Sequence, residues 1–172
     1  MSLGLKYKNE EHIFDEREVD GVPYLSFPLI EKTGIVKHGF STRLGGVSKG
    51  HCGTMNISTT RGDEPKAIEE NRRRIARAIG VDPLDFTYTH QTHTTNVAVV
   101  EEKDRGGKFP DMDGMVTNVP GICLVTFYAD CVPLFFVDPV HRAIGLSHSG
   151  WRGTVGRMGK VTLEMMHKQY KT

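Results

Sequence analysis

Cysteine is scarce in this chain and widely spaced. Cys52, Cys123 and Cys131 are three in 172 residues, an odd number that argues against a disulfide framework and fits a reducing compartment. No C-x-x-C pair occurs, which argues against a structural zinc ribbon or knuckle, so any metal must gather its ligands from distant segments. No apolar run approaches the roughly 20 residues that a membrane span needs, and the amino-terminal MSLGLKYKNEEHIFDE lacks the apolar stretch of a signal peptide. A cytoplasmic protein without a membrane partner is the expectation. Excess charge of one sign is missing too: 22 Lys and Arg stand against 21 Asp and Glu, a net charge of +1, so no field stands ready for nucleic acid or anionic lipid. There is one tryptophan, Trp151, and no internal repeat or low-complexity segment.

The length and an apolar fraction of 38% suffice for one domain with a real core, here expected over residues 1–172. Val22 to Phe27 reads as a strand closed by Pro28. Residues 35–40 alternate and lead into the glycine-containing loop STRLGGVSKGHCGTMNIS, and loops of that length generally carry function or lack order; Arg43 beside Gly45-Gly46 favours function. Asp63 as N-cap, Pro65 in the first turn, and Ala67, Ile68, Ile75, Ala78 and Ile79 at helical spacing predict a helix stopped by Gly80. Its Arg72, Arg73, Arg74 and Arg77 read as a solvated face. Strands are predicted at 86–89, 96–100 and 115–117, with a charged turn region at 101–113. The apolar run 121–128 has the composition of a strand buried on both faces. Strands at 132–137 and 143–147, joined by a hairpin turn at 138–141, and a last helix after Gly153 with Val155, Met158, Met165 and Met166 on one face complete the pattern.

Three polar strings interrupt these elements. In Thr89-His90-Gln91-Thr92-His93 the two imidazoles are three apart, so on a strand only one reaches a given site; His93, beside the next strand, is the candidate. In Asp130-Cys131-Val132-Pro133 a thiol stands next to a carboxylate at a strand end, an odd choice for core filler and a natural one for a metal-bound thiolate. In Ser147-His148-Ser149-Gly150-Trp151-Arg152-Gly153 two glycines bracket the tryptophan where strand gives way to helix. Arg152 suits either an anion clamp or a stacking pair with Trp151. Alone, each residue has an ordinary structural use. Together, two imidazoles and one thiolate have the ligand count of a catalytic zinc with an open fourth position.

With Phe40-Ser41-Thr42-Arg43-Leu44-Gly45-Gly46, these strings resemble those of the YfiH family, labelled laccase-domain or polyphenol oxidoreductase proteins and regarded as zinc-dependent purine nucleoside phosphorylases with adenosine deaminase activity. The resemblance runs from about Ile35 to the carboxyl end through FSTRLGG, HQTH, ADCVP and HSGWRG, in that order. It implies an α+β fold, a layered α/β/β/α sandwich with mixed β-sheets. It implies zinc ligation by His93, Cys131 and His148, with Arg43 and Asn56 near the substrate. It also implies phosphorolysis of adenosine- and inosine-type nucleosides, methylthioadenosine included, with nucleoside and phosphate as partners. Family members usually continue past H-x-G-W-R-G into strands with a G-P-x-I-G-type string that this chain lacks, so the C-terminal part of the family domain is expected to be missing.

In the deamination that the resemblance implies, zinc would activate water for attack at C6 of adenine, with Asp130 as proton carrier. In phosphorolysis, Arg43 and Arg152 would position phosphate. Three rivals stand beside this reading. Cys131 and His148 could form the nucleophile and base of a cysteine hydrolase. The pocket could hold metal and purine without turnover. Two His and one Cys also suit copper, although the chain has no His-x-His pair from which to build a multicopper cluster.

Overall fold

The computed structural model describes Leu3 and residues 13–172, and the chain divides into two compact units, Met1–Pro83 and Leu84–Thr172.

In the first unit, β1 (Asp15–Val19) and β2 (Val22–Ser26) form an antiparallel hairpin, and β3 (Phe40–Ser41) adds to β2. The hairpin turns on Asp20 and Gly21, both at positive φ, as an Asp-Gly turn requires. A short helix, α1 (Pro28–Glu31), follows β2. The predicted long helix is α2 (Pro65–Ile79), which buries Ile68, Ile75, Ala76 and Ala78 and ends at Gly80, whose φ of 79° makes a left-handed cap. Its N-cap is Glu64 rather than Asp63. The Asp63 carboxylate instead accepts from Ser48 Oγ at 2.6 Å and Asn56 Nδ2 at 2.9 Å, so a loop has taken the group that the helix would have used. The solvated-face reading holds for Arg73 and Arg77, which are exposed. It fails for Arg72 and Arg74, which donate to the loop carbonyls of Ile57 and Gly45.

The long loop after β3 is ordered by one residue that periodicity places among apolar neighbours. Asn71, on the buried face of α2 and fully enclosed, donates to Ser48 Oγ, the Thr54 carbonyl and the Asn56 carbonyl, and accepts from the Val47 N–H. A carboxamide has two N–H donors and an acceptor oxygen, and both its nitrogen and its oxygen are committed to the loop.

In the second unit, β4 (Phe86–His90), β5 (Val97–Val99), β6 (Lys108–Pro110), β7 (Gly114–Thr117), β8 (Cys123–Val125), β9 (Val132–Asp138) and β10 (Ala143–Ser149) form two sheets. One, in order β5-β7-β10-β9, mixes a parallel pair with two antiparallel ones; the other, β6-β4-β8, is parallel. These are the mixed sheets expected of the fold. The 121–128 run yields only β8, half-buried rather than enclosed on both faces. It ends its sheet and pairs with β4 on one side, which leaves part of it outside the packed layers.

Strand alternation divides the core in two. Ala98 and Met115 turn to one side and pack with Val100, Ile122, Phe109 and Leu124, whereas Val97, Val99 and Val116 turn to the other and pack with Ala143, Met166 and Phe136. The second side is covered by α4 (Met158–Tyr170), whose Met158, Thr162 and Met166 recur every four residues and are buried. The predicted last helix is in fact two, because α3 (Trp151–Val155) precedes a break at Gly156 and Arg157, where Arg157 takes φ 59°. The break removes Val155 from the buried face, and it is 76% exposed.

Candidate metal centre

The alternation of β10 decides which of its residues reach the site. Ala143, Gly145 and Ser147 turn toward α4, Ser147 Oγ lying 2.7 Å from Thr162 Oγ1. His148, one residue on, therefore faces the opposite way, toward the ring of Tyr128 at a centroid distance of 5.7 Å. It is buried and is the second-last residue of β10, which ends at Ser149 just before Gly150 and α3. Cys131 lies in a bend directly before β9, beside the end of β10, since Val132 pairs with Ser149. His93 lies between β4 and β5 with φ 63°. The three segments meet at one edge of the unit, and the ligand atoms of His93, Cys131 and His148 all lie within 4.8 Å of one another.

That spacing suits an ion. Zinc–nitrogen and zinc–sulfur bonds of roughly 2.0 to 2.3 Å put tetrahedral ligand atoms somewhat under 4 Å apart. The His93 and His148 rings meet edge to face, with centroids 4.9 Å apart and planes at 90°. Gly150 explains the glycine of HSG: a Cβ there would lie 2.7 Å from His93 Nδ1 and 3.1 Å from Cys131 Sγ, so any side chain would press on two of the three groups. His90, the other imidazole of the HQTH string, ends β4 exposed and is not among the three.

Asp130 differs from its expected place. On a strand the Asp130 side chain would point away from that of its neighbour Cys131, but residues 129–131 form a bend, and Asp130 Oδ1 lies 3.5 Å from Cys131 Sγ as its acceptor. Burial first, then the Asp130 carboxylate as acceptor and as charge, and then Asp113, push the Cys131 thiol up. A thiol so placed keeps its proton and is a poor free nucleophile, whereas a cation bound to sulfur reverses that preference.

Pattern reading missed Asp113. Its side chain is fully buried and lies 2.8 Å from His148 Nδ1. It also accepts from the N–H groups of Thr92, His93 and Thr94 and from the Thr94 hydroxyl. Burial raises this carboxyl, but the donors around it, led by the Thr94 amide and the His148 ring, outweigh burial and hold it below the usual range. The available signal was weak: one aspartate before a glycine, at the end of a charged turn.

Arg152 stacks over Trp151, its Cζ 5.4 Å from the ring centroid, and both are exposed. Arg43 and Asn56 belong to the first unit. Arg43 Nη2 donates to the Gly53 carbonyl at 3.0 Å. Asn56 donates to the Ser58 carbonyl and Asp63 and accepts from the Ser58 N–H, so its carboxamide closes the loop.

Fold and site together define an α+β protein with a metal-competent His-Cys-His centre at a strand-end edge. The chain belongs to the family described as multi-copper polyphenol oxidoreductase laccase, whose model matches residues 37–172. It is 42% identical over 146 residues to a purine nucleoside phosphorylase of Deinococcus radiodurans, covering 85% of this chain and 54% of that protein. With the Bacillus subtilis purine nucleoside phosphorylase YlmD it shares 36% over 129 residues, 71% of this chain and 46% of the relative. The chain thus spans about half the length of these curated relatives. In structure it matches YlmD of Geobacillus stearothermophilus with a TM-score of 0.82 at 29% identity, over 93% of this chain and 60% of that one. The Bacillus licheniformis protein YfiH matches with a TM-score of 0.82 at 27% identity, over 91% and 60%. No helix among the described residues is long and apolar enough to cross a membrane.

Proposed function

We propose that this chain is a zinc-dependent purine nucleoside enzyme of the phosphorylase type, acting on adenosine- and inosine-type nucleosides, methylthioadenosine included, with deamination of adenosine as a second activity. The observation that carries the reading is the convergence of His93, Cys131 and His148 within 4.8 Å, joined to relatives named purine nucleoside phosphorylase. The three residues hold the ion, which when bound supplies Lewis acidity at the open position. Zinc is favoured over copper because two imidazoles and one thiolate with an open position make a catalytic zinc set and the chemistry needs no redox change. The three free thiols suit a reducing cytoplasm.

The chain's own groups do the rest. Asp130, which has an oxygen beside Sγ, carries a proton between solvent and the reacting nucleoside. Arg43 has five guanidinium donors, one of them spent on Gly53, and is a cation suited to holding phosphate, as is Arg152. Asn56 serves the substrate through the loop that it closes. The raised Cys131 thiol weighs against the cysteine-hydrolase alternative, in which a metal-free thiolate attacks.

Elemental analysis of the purified chain and of Cys131→Ser, followed by adenosine turnover with and without phosphate, tests this. About one zinc per chain, lost in the variant, with phosphate-dependent release of adenine is the expected result. A folded chain that takes up no zinc even when the metal is added would overturn the metal reading. Zinc retained without turnover would leave this chain a metal- and purine-binding unit.

A further inference from the structure

One buried carboxylate touches both histidine segments of the centre. Asp113 Oδ1 lies 2.8 Å from His148 Nδ1 and accepts from the His93 N–H at 3.1 Å; Oδ2 accepts from the Thr92 N–H at 3.1 Å, the Thr94 N–H at 2.9 Å and the Thr94 hydroxyl at 3.0 Å. The Asp113 carbonyl also receives the His148 N–H at 2.7 Å. Three successive amides closing on one carboxylate form a nest, and such a nest holds His93 in its left-handed conformation, at φ 63°, which a non-glycine residue otherwise avoids by about 1 to 2 kcal/mol.

An ionised carboxylate only accepts. Nδ1 of His148 must then carry the ring proton, which leaves the Nε2 lone pair for the ion. We propose that Asp113 is the positioning residue of the centre: it selects the Nδ1–H form of His148 and, through the amides of residues 92–94, sets the approach of His93. The proposal rests on the metal reading for its purpose, but the ring-proton assignment stands without it.

Asp113→Asn keeps the shape of the side chain and the bonds that converge on Oδ2 but gives up the Oδ1 acceptor of the His93 N–H, so it tests both halves of the positioning role. Three donors crowd the Oδ2 position, so the amide oxygen must stay there and the amide nitrogen falls at the Oδ1 position, where it donates to His148 Nδ1. The ring proton then moves to Nε2, and the lone pair needed by the ion is lost.

Long-range proton–nitrogen NMR on the chain stripped of metal reads the ring proton directly, and competition against a chelator reads zinc affinity. The expected results are a bare Nε2 on His148 in the parent, a protonated Nε2 in Asp113→Asn, and zinc binding weakened by about 10- to 100-fold in that variant. Thr94→Val, which removes a donor to the same carboxylate but leaves the ring contact, should lower stability while keeping the parent's ring proton and affinity. A neutral His148 ring with its proton on Nε2 and a bare Nδ1 in the parent overturns the proposal whether or not the variant folds. Parent-like zinc affinity in a folded Asp113→Asn overturns it equally. If the parent takes up no zinc yet shows the bare Nε2, the metal reading fails and the ring assignment survives.

Discussion

Gly150 and His93 leave no room between them for a methyl group: a Cβ on the glycine would lie 2.7 Å from the imidazole Nδ1. Backbone strain is not the reason for a glycine here, since φ is −73° and any residue adopts that value. The constraint is space. Gly150→Ala should therefore fold with nearly unchanged secondary structure while forcing His93 and Cys131 apart. Zinc affinity should fall by at least 10-fold with little change in the unfolding midpoint of the metal-free chain. Circular dichroism and a chelator competition check both halves.

Asn71 is the opposite kind of residue, polar where periodicity expects apolar. Its replacement by Leu would suit the helix face yet take their side-chain partner from the Val47 N–H and the Asn56 carbonyl and one of two partners from Ser48 Oγ and the Thr54 carbonyl. Buried groups left unpaired cost about 1 to 3 kcal/mol each, although the loop can relax toward water, so a net loss of about 3 kcal/mol is expected for Asn71→Leu. Urea unfolding measures it. Faster proteolysis within residues 43–58 should accompany the loss, because the network ties that loop down.

These two positions also mark the reach of sequence reading. His148 and Cys131 were legible because their strings put chemistry at strand ends, and alternation along β10 then turns His148 away from α4. Asp113 was not legible: its partners, Thr92 to Thr94 and His148, become its neighbours only when the β7 and β10 registers are known. β1 was missed because Asp15 to Val19 is mostly charged and its pairing comes from the Asp-Gly turn rather than from apolar alternation. The break between α3 and α4 escaped notice because no proline marks it, and Gly156 alone does not stop a helix pattern.

Asp138 gives the pH dependence a definite sign. The His141 amide, opposed by burial and joined by the His141 ring and the Thr172 hydroxyl, holds its carboxyl down at about 2, below an ordinary aspartate value of about 3.9. A folded-state value below the unfolded one means that the unfolded chain binds the proton first. The stabilisation is then fully present above about pH 4 and is lost as pH falls toward about 2. Asp138→Asn removes this contribution. Its urea midpoint should fall less than the parent's between pH 5 and pH 2.5, and equal slopes for the two proteins would rule out this assignment.

Arg157 offers a substitution expected to stabilise. It joins α3 to α4 at φ 59° and ψ 45°, a conformation that costs an L side chain about 1 to 2 kcal/mol, and it is exposed, so its side chain recovers little through packing. Glycine adopts the same angles without that steric cost but widens the unfolded ensemble, which takes back about 0.4 to 1 kcal/mol. The balance favours Arg157→Gly by roughly 0.5 kcal/mol, visible as a small rise in the urea midpoint. Arg157→Ala keeps the Cβ and so should give no such rise; the pair separates relief of backbone strain from loss of the charge, and equal midpoints in the two variants would show that the charge, not the backbone, governs this corner.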